Sequence, residues 1–283
     1  MNKDINQIMA LINAYKMDGL GNNFVIIDRR KNTLEISKDK IVSIANKKIV
    51  PFDQLIILEK EEKNTFPIKI YNPDGIEVTA CGNGTRCVAD LLSKENNKSL
   101  VTLTTQSGDL KSEILGKKLV STEIGKGRTE WNEIPLSEEL DTNNLNIKIT
   151  DLNNNNHTGG TAVNVGNPHI IFFVENNENF EIKKIGPQIE HHPLFPEKCN
   201  VTLATVVNKE LIKVKVWERG AGLTKACGTA ACATAFAALR NGLSGNKVDI
   251  EFSTGKLSIF IDENDSIHMK GPVSDIKEIN IKI

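Results

Sequence analysis

The chain has 283 residues, 39% of them hydrophobic and 25% charged, with a formal net charge of −1. Such a composition belongs to a water-soluble globular protein of one large domain or two, and the balanced charge argues against a nucleic acid or an anionic membrane as partner. Nothing approaches the ~20 apolar residues of a membrane span. The apolar run Ile8–Ile12 is shorter than a secretory core, so the expected location is the cytoplasm.

Along the chain, short or alternating apolar runs predict strands at Phe24–Ile27, Leu55–Leu58, Ile68–Tyr71, Ile170–Val174, Val201–Val207, Ile212–Trp217 and Leu257–Ile261. Turn signals separate them at Asp18-Gly19, Pro73-Asp74-Gly75, Gly159-Gly160 and Gly166-Asn167-Pro168, the pattern of a β-rich protein. Two segments predict helices. One starts near Gly82 and runs through CVADLLSK; the other starts near Gly228 and is closed by Gly242. The second carries Ala, Cys, Thr, Phe and Leu on every face, so it is expected to be buried, with side chains small enough for a sheet to wrap closely around it. Asp151–Gly160 is expected to be a polar loop and Gly125–Leu145 a connection, which places the domain boundary near residues 122–130.

The cysteines are Cys81, Cys87, Cys199, Cys227 and Cys232. Their odd number argues against a disulfide framework, and their intervals do not match the short pairs of structural zinc sites; no metal is expected. Cys87, Cys232 and Cys199 fit the role of small core residues. GLGNNF, from Gly19, lacks the third glycine of a dinucleotide motif and precedes a strand, so nucleotide binding is not expected. Arg86 is expected to be a solvated or bracing charge, and His191-His192-Pro193 a loop.

The phrase Ala-Cys-Gly occurs twice, at Cys81 and at Cys227, each time after a glycine-bearing turn and before a helix. Aligning the two cysteines (227 − 81 = 146) also places Gln54 against Asn200 and Asn72 against Glu218; Asn22 meets Asn167 one residue short of that offset. Four stations in one order predict two homologous halves related by a pseudo-twofold axis. Cys81 and Cys227 would then face each other across a cleft, each at a helix start whose unpaired N–H groups bind anions and draw a thiol pKa down toward neutrality. Gly82 and Gly228 would let backbone approach a ligand. One acid/base on each side of a bound molecule, with N–H donors for a carboxylate, suits stereoinversion at a carbon next to that carboxylate.

The segments KMDGLGNNFVIID, FDQLIIL, YNPDGIEVTACGNGTRC, NVGNPHII, FPEKCNV and VWERGAGLTKACGTAACA resemble, in order, the signature segments of diaminopimelate epimerases, spanning Tyr15 to Ala235. The resemblance implies a cofactor-independent epimerase that interconverts LL- and meso-diaminopimelate in bacterial lysine and peptidoglycan-precursor synthesis. It implies an α+β fold of two pseudo-symmetric domains, each a β-barrel-like sheet around a central helix, often as a homodimer. Residues 1–124 with a returning strand at 272–283 would form one domain, and residues 125–271 the other.

By that resemblance, Cys81 and Cys227 are the catalytic thiols. Cys227 takes the proton and Cys81 supplies one in the LL-to-meso direction, with roles exchanged in reverse. Gly82, Asn83, Gly228 and Thr229 match the backbone donors to the reacting carboxylate. Asn22, Gln54, Asn72, Asn167, Asn200, Glu218 and Arg219 match the substrate-binding set, and His169 and Glu218 match residues important for activity. Arg219 suits the distal carboxylate and Glu218 the distal ammonium. For His169, bracing of the GNPH turn and a direct catalytic role both stay open. The chain departs from the family at Asn23, Ile76 and Leu223, where Asp, Ser and Glu are common. The first dozen residues extend beyond the usual start.

Two other functions stay in view: a proline-racemase-type enzyme with the same two-thiol logic, and a binding protein that kept the fold without catalysis. Glu218-Arg219 and CGNG, in place of CGHG, speak against the first; retention of both cysteines speaks against the second.

Overall fold

The computed structural model describes residues 11–32, 34–46, 50–79 and 81–282. Most of the expected N-terminal extension, residues 1–10, lies outside the described residues; Leu11 opens the first strand. The first half runs β1 (Leu11–Gly19), β2 (Asn22–Asp28), α1 (Lys38–Asn46), β3 (Gln54–Leu58), β4 (Phe66–Tyr71), β5 (Glu77–Val78), α2 (Gly82–Asn96), β6 (Leu100–Thr105), β7 (Gly108–Gly116) and β8 (Leu119–Lys126). A small antiparallel hairpin follows, β9 (Ile147–Thr150) with β10 (Asn156–Gly159). The second half runs β11 (Thr161–Asn164), β12 (Pro168–Phe173), α3 (Ile182–Glu190), β13 (Asn200–Asn208), β14 (Leu211–Glu218), β15 (Gly222–Thr224), α4 (Gly228–Arg240), β16 (Lys247–Phe252), β17 (Gly255–Ile261) and β18 (Ser266–Pro272), and β19 (Lys277–Lys282) ends it.

The two halves repeat element by element. In the first, β2 and β3 pair in parallel across α1, and β4 and β6 pair in parallel across α2. In the second, β12 and β13 pair in parallel across α3, and β14 and β16 across α4. The fold is sheet-dominated α+β, with α2 packed against β1, β2, β3, β6, β7, β8 and β18, and α4 against β11, β12, β13, β16, β17 and β18.

Strand chemistry explains this wrapping. Along β2, Phe24 and Ile26 join the cluster around α2, while Val25 and Ile27 join the one around α1. Ile56 and Leu58 of β3 divide from Leu55 and Ile57 in the same way. Strands covered on both faces are continuous apolar runs, so these residues read as strongly hydrophobic in sequence. In the second half, Ile171 and Ala204 pack toward α4, and Ile170, Phe172, Val201 and Leu203 pack with Ile182, Ile185 and Ile189 of α3. Helix α4 is buried from Ala230 to Ala238, as a helix apolar on all sides must be.

Two pairings stitch the halves together. β8 lies antiparallel to β18, from Leu119 opposite Pro272 to Lys126 opposite Ser266, and so runs through the region where the sequence places a boundary. β19 lies antiparallel to β1 in the first half.

Two features differ from expectation. The polar stretch Asp151–Gly160 is not wholly a loop: the Asp151 carboxylate accepts N–H bonds from Asn153 (2.9 Å) and Asn155 (2.8 Å), and this turn lets β10 pair with β9. Helices α1 and α3 were not expected. α3 contains Gly186-Pro187, which reads as a break in sequence. Gly186 is there because β14 presses against the helix: a Cβ on it would collide with the Trp217 indole. The same indole donates from Nε1 to Glu190 Oε2 at 2.7 Å.

Replacing Gly186 by Ala should therefore cost about 1–3 kcal/mol through overpacking, read as a lower urea midpoint at unchanged slope. An unchanged midpoint would show that α3 can move away from β14.

Candidate active site

Cys81 sits at the N-cap of α2 in an extended conformation (φ −149°, ψ 106°), and its Sγ accepts the Gly84 N–H at 3.4 Å. The thiol stands where Ser or Asp oxygens usually cap a helix. Cys227 sits at the N-cap of α4 (φ −138°, ψ 117°), with Sγ 3.4 Å from Thr229 Oγ1. α-Helix geometry leaves the first-turn N–H groups of Gly82, Asn83, Gly228 and Thr229 without intrahelical acceptors.

The two helix starts converge on one side chain, Met269 of β18. A Cβ on Gly82 would strike Met269 Cε, and a Cβ on Gly228 would lie 3.1 Å from Met269 Sδ and 3.3 Å from Asn83 Oδ1. Only helices that begin with glycine can come this close. Asn83 in turn donates from Nδ2 to Asn22 Oδ1 at 2.7 Å, while its buried Oδ1 has no hydrogen-bond partner among the described residues. Asn22, Asn83, Cys81, Cys227, Gly228 and Thr229 thus share one locus at the join of the halves.

Glu218, at the end of β14, belongs to the same locus, because its charge acts on both thiols. Its own pKa is raised, first by burial and further by Asp53 of the first half, with Thr224 and Cys227 beside the carboxylate opposing the rise. The other polar residues form two smaller groups. Gln54 Nε2 donates to Asn72 Oδ1 at 3.3 Å. His169 Nε2 meets Asn167 Oδ1 at 2.8 Å, and the Asn200 amide donates to the Pro168 carbonyl at 3.1 Å while its Oδ1 accepts the Arg219 N–H at 2.9 Å. The Arg219 side chain is exposed, with Nη1 donating to the Glu197 carbonyl at 2.8 Å.

His169 is fully buried, and burial, followed by the Arg219 charge, pushes its pKa down to about 3. Its Nε2 lies within hydrogen-bonding reach of both Asn167 Oδ1, in the same GNPH turn, and Asn200 Nδ2. The same sheet position in the first half is Phe24, since Phe24 faces Gln54 across the parallel pair and His169 faces Asn200.

The thiols correct one expectation. Helix N-termini were expected to draw their pKa down, yet Cys81 is pushed up to about 11 and Cys227 well above the ordinary thiol value. Burial is the largest cause at both, and the Glu218 charge adds to it; the helix N–H bond from Gly84 only partly offsets this at Cys81. Cys81 keeps some surface while Cys227 is 6% exposed. Of the two roles expected for Arg86, burial excludes the solvated one: the side chain is 0% exposed. Among the described residues no group of three or more His, Cys, Asp or Glu could hold a metal ion, and no helix is long and apolar enough to cross a membrane. Concavities of 290 Å³ beside β17 and 650 Å³ beside the β9–β10 hairpin contain none of these residues.

The family model for diaminopimelate epimerase matches residues 14–129 and again 161–276, one match per half. The diaminopimelate epimerase of Pelagibacter ubique (strain HTCC1062) is 62% identical over 272 residues, covering 96% of this chain and 99% of that protein. The chain belongs to the diaminopimelate epimerase family. It is an isomerase of the epimerase type. Among solved structures, a Bacillus anthracis phenazine biosynthesis protein of the PhzF family superposes with a TM-score of 0.69 at 15% identity, covering 97% of this chain and 100% of that one. A hydroxyproline epimerase from Agrobacterium vitis, with bound trans-4-hydroxy-L-proline, superposes with a TM-score of 0.65 at 12% identity, covering 96% and 93%. At such identities the likeness is one of fold.

The departures from the diaminopimelate epimerase pattern lie on turns and edges. Ile76 and Leu223 are exposed, and Asn23 donates its backbone N–H to Asp53 Oδ2 at 2.8 Å. Sequence reasoning missed Met269, which lies in a strand with no turn or glycine signal, and Asp53, an ordinary acidic residue beside Gln54. For Arg86 the sequence offers only a cation in the first turns of α2, with no sign of what it packs against.

Because the Glu218 charge disfavours both thiolates, Glu218→Gln should lower the pH midpoint for iodoacetamide alkylation of Cys81 and Cys227. Below the midpoint the rate should rise by up to about tenfold at fixed pH. Unchanged profiles at both cysteines would contradict the placement of Glu218 beside them.

Proposed function

We propose that this epimerase interconverts LL- and meso-2,6-diaminopimelate by proton transfer between Cys81, Cys227 and the substrate α-carbon. It does so without pyridoxal phosphate or another cofactor, as a homodimer in the cytoplasm, in the synthesis of lysine and peptidoglycan precursors. The observation that carries this reading is the convergence of two cysteine-capped helix starts on Met269, with Glu218 acting on both thiols, in a chain whose 62% identical relative is named for this reaction.

The chemistry follows from the parts. The reacting carboxylate lies between the two helix starts, where the N–H groups of Gly82, Asn83, Gly228 and Thr229 receive the charge that builds as the α-carbon loses its proton. In the LL-to-meso direction the Cys227 sulfur removes the α-proton from one face and the Cys81 thiol delivers its own from the other. In the reverse direction the roles exchange. The non-reacting centre is held by Asn22, Gln54, Asn72, Asn167 and Asn200, with Arg219 on its carboxylate and Glu218 on its ammonium. His169 keeps Asn167 in place. Seating the ammonium against Glu218 neutralises the charge that raises both thiol pKa values, so substrate binding itself favours formation of the thiolate. Nothing in the structure favours a proline-type substrate over this one.

Purified protein with no added cofactor should convert LL-diaminopimelate. In deuterated water the early product should carry deuterium at the inverted centre, while recovered substrate stays largely protiated. Early product that retains the original hydrogen would point to a single base. Cys81→Ser and Cys227→Ser should each lose about 10²–10⁴-fold in rate, the usual contribution of positioned acid–base catalysis; near wild-type epimerisation by either would refute the paired-thiol reading.

Arg219→Ala should raise KM more than it lowers kcat, with a penalty of about 1.5–3 kcal/mol for the loss of a hydrogen bond to a charged group. Unaltered kinetics would remove Arg219 from the distal pocket.

A further inference from the structure

Arg86 is the largest fully buried side chain among the described residues, and its Nε, Nη1 and Nη2 have no hydrogen-bond partner there. A guanidinium stays charged in a protein, and an interior charge without a partner is costly. Such a group is kept where its charge serves something that is not negative all the time.

Its surroundings identify that something. Arg86 lies in α2, the helix capped by Cys81, at the packing of α2 against α4 and β18. Gly271 of β18 makes room for it: a Cβ there would stand 3.0 Å from both Cζ and Nη2 of Arg86. Three thiols feel its charge, Cys81 and Cys87 on α2 and Cys232 on α4. Glu218 acts on Cys81, and Asp18 and Asp90 act on Cys87, but none of these carboxylates bonds the guanidinium. Asp90 is paired with Lys94 Nζ at 2.7 Å. Cys87 and Cys232 are 0% exposed and outside the proton path, which leaves Cys81 as the sulfur that changes charge.

The repeat makes the placement one-sided. Arg86 stands five residues after Cys81, and five residues after Cys227 stands Cys232. The second half has no cation at the matching place.

We infer that Arg86 is a positioning residue for the reaction, a fixed buried cation that holds negative charge on Cys81 in preference to Cys227. The inference rests on the paired-thiol reading and adds an asymmetry to it: of two pseudo-equivalent sulfurs, Cys81 is the more readily ionised. Glu218 opposes ionisation of both, the Gly84 N–H bond favours it at Cys81, and Arg86 adds a buried cation on the helix that Cys81 caps.

Alkylation of the whole enzyme with iodoacetamide across pH, with Cys81 and Cys227 peptides separated by mass spectrometry, tests this. In the wild type the Cys81 midpoint should lie below that of Cys227. Arg86→Met should slow Cys81 by about tenfold or more at a pH below the midpoint and leave Cys227 unchanged, and Arg86→Lys should restore most of the Cys81 rate. In the meso-to-LL direction, where Cys81 is the base, the lower pH limb of kcat/KM should move with the Cys81 midpoint. Equal slowing at both cysteines, or none at Cys81, overturns the inference. Should Arg86→Met fail to fold, the wild-type order decides: Cys227 ionising first overturns it. The alkylation readout does not depend on turnover, so an active Cys81→Ser enzyme would remove the paired-thiol reading while leaving the Arg86 result intact.

Discussion

The arrangement depends on how closely two helix N-termini can approach one thioether. Gly82 and Gly228 present no side chain to Met269, and a methyl group on either would push α2 and α4 apart. That contact fixes the relation between the halves at the point where their thiols stand. On the proposed reading, the two helix N-termini would together form an anion site with one sulfur from each half. Much of the rest serves to hold these two helix ends in register: the strands around each helix, and the β8–β18 seam between them.

The electrostatics of the locus pull in two directions. Burial and Glu218 keep both sulfurs protonated at rest, which protects them and leaves each ready to donate. The proposed paired-thiol reaction would need one of them ionised. On that reading a substrate ammonium seated against Glu218 would remove the charge opposing ionisation, so both demands could be met. Desolvated thiols beside a carboxylate are therefore compatible with proton abstraction, though unlike the low-pKa cysteines of helix N-termini that face water.

Much of this was legible in the sequence, for identifiable reasons. The runs Phe24–Ile27 and Leu55–Leu58 announce strands because both of their faces are covered, and the Ala-rich segment after Gly228 announces a buried helix because no face of it tolerates water. The duplicated Ala-Cys-Gly turn pointed to the two helix starts that meet at Met269, because glycine after a capping residue is a requirement of close approach. What was hidden depended on partners distant in the chain. Helix α3 looked broken at Gly186-Pro187 because its glycine answers to Trp217, thirty-one residues later (217 − 186). The thiol pKa values could not be inferred from their caps, since burial outweighs a local dipole. Met269 and Arg86 carry no local signal of what they touch.

The pairing of β19 with β1 brings the far end of the chain, Lys282, opposite Leu11. The first half therefore cannot close its sheet until the second has been made. A ribosome-bound N-terminal half would carry an unfilled sheet edge through all the time needed to synthesise the rest, and such edges template unwanted pairing. Contacts between chain ends also close very large loops, a topology associated with slow folding. The two halves are thus duplicates in structure but not independent in assembly, and the pseudo-symmetric site forms late, once the chain has turned back on its own beginning.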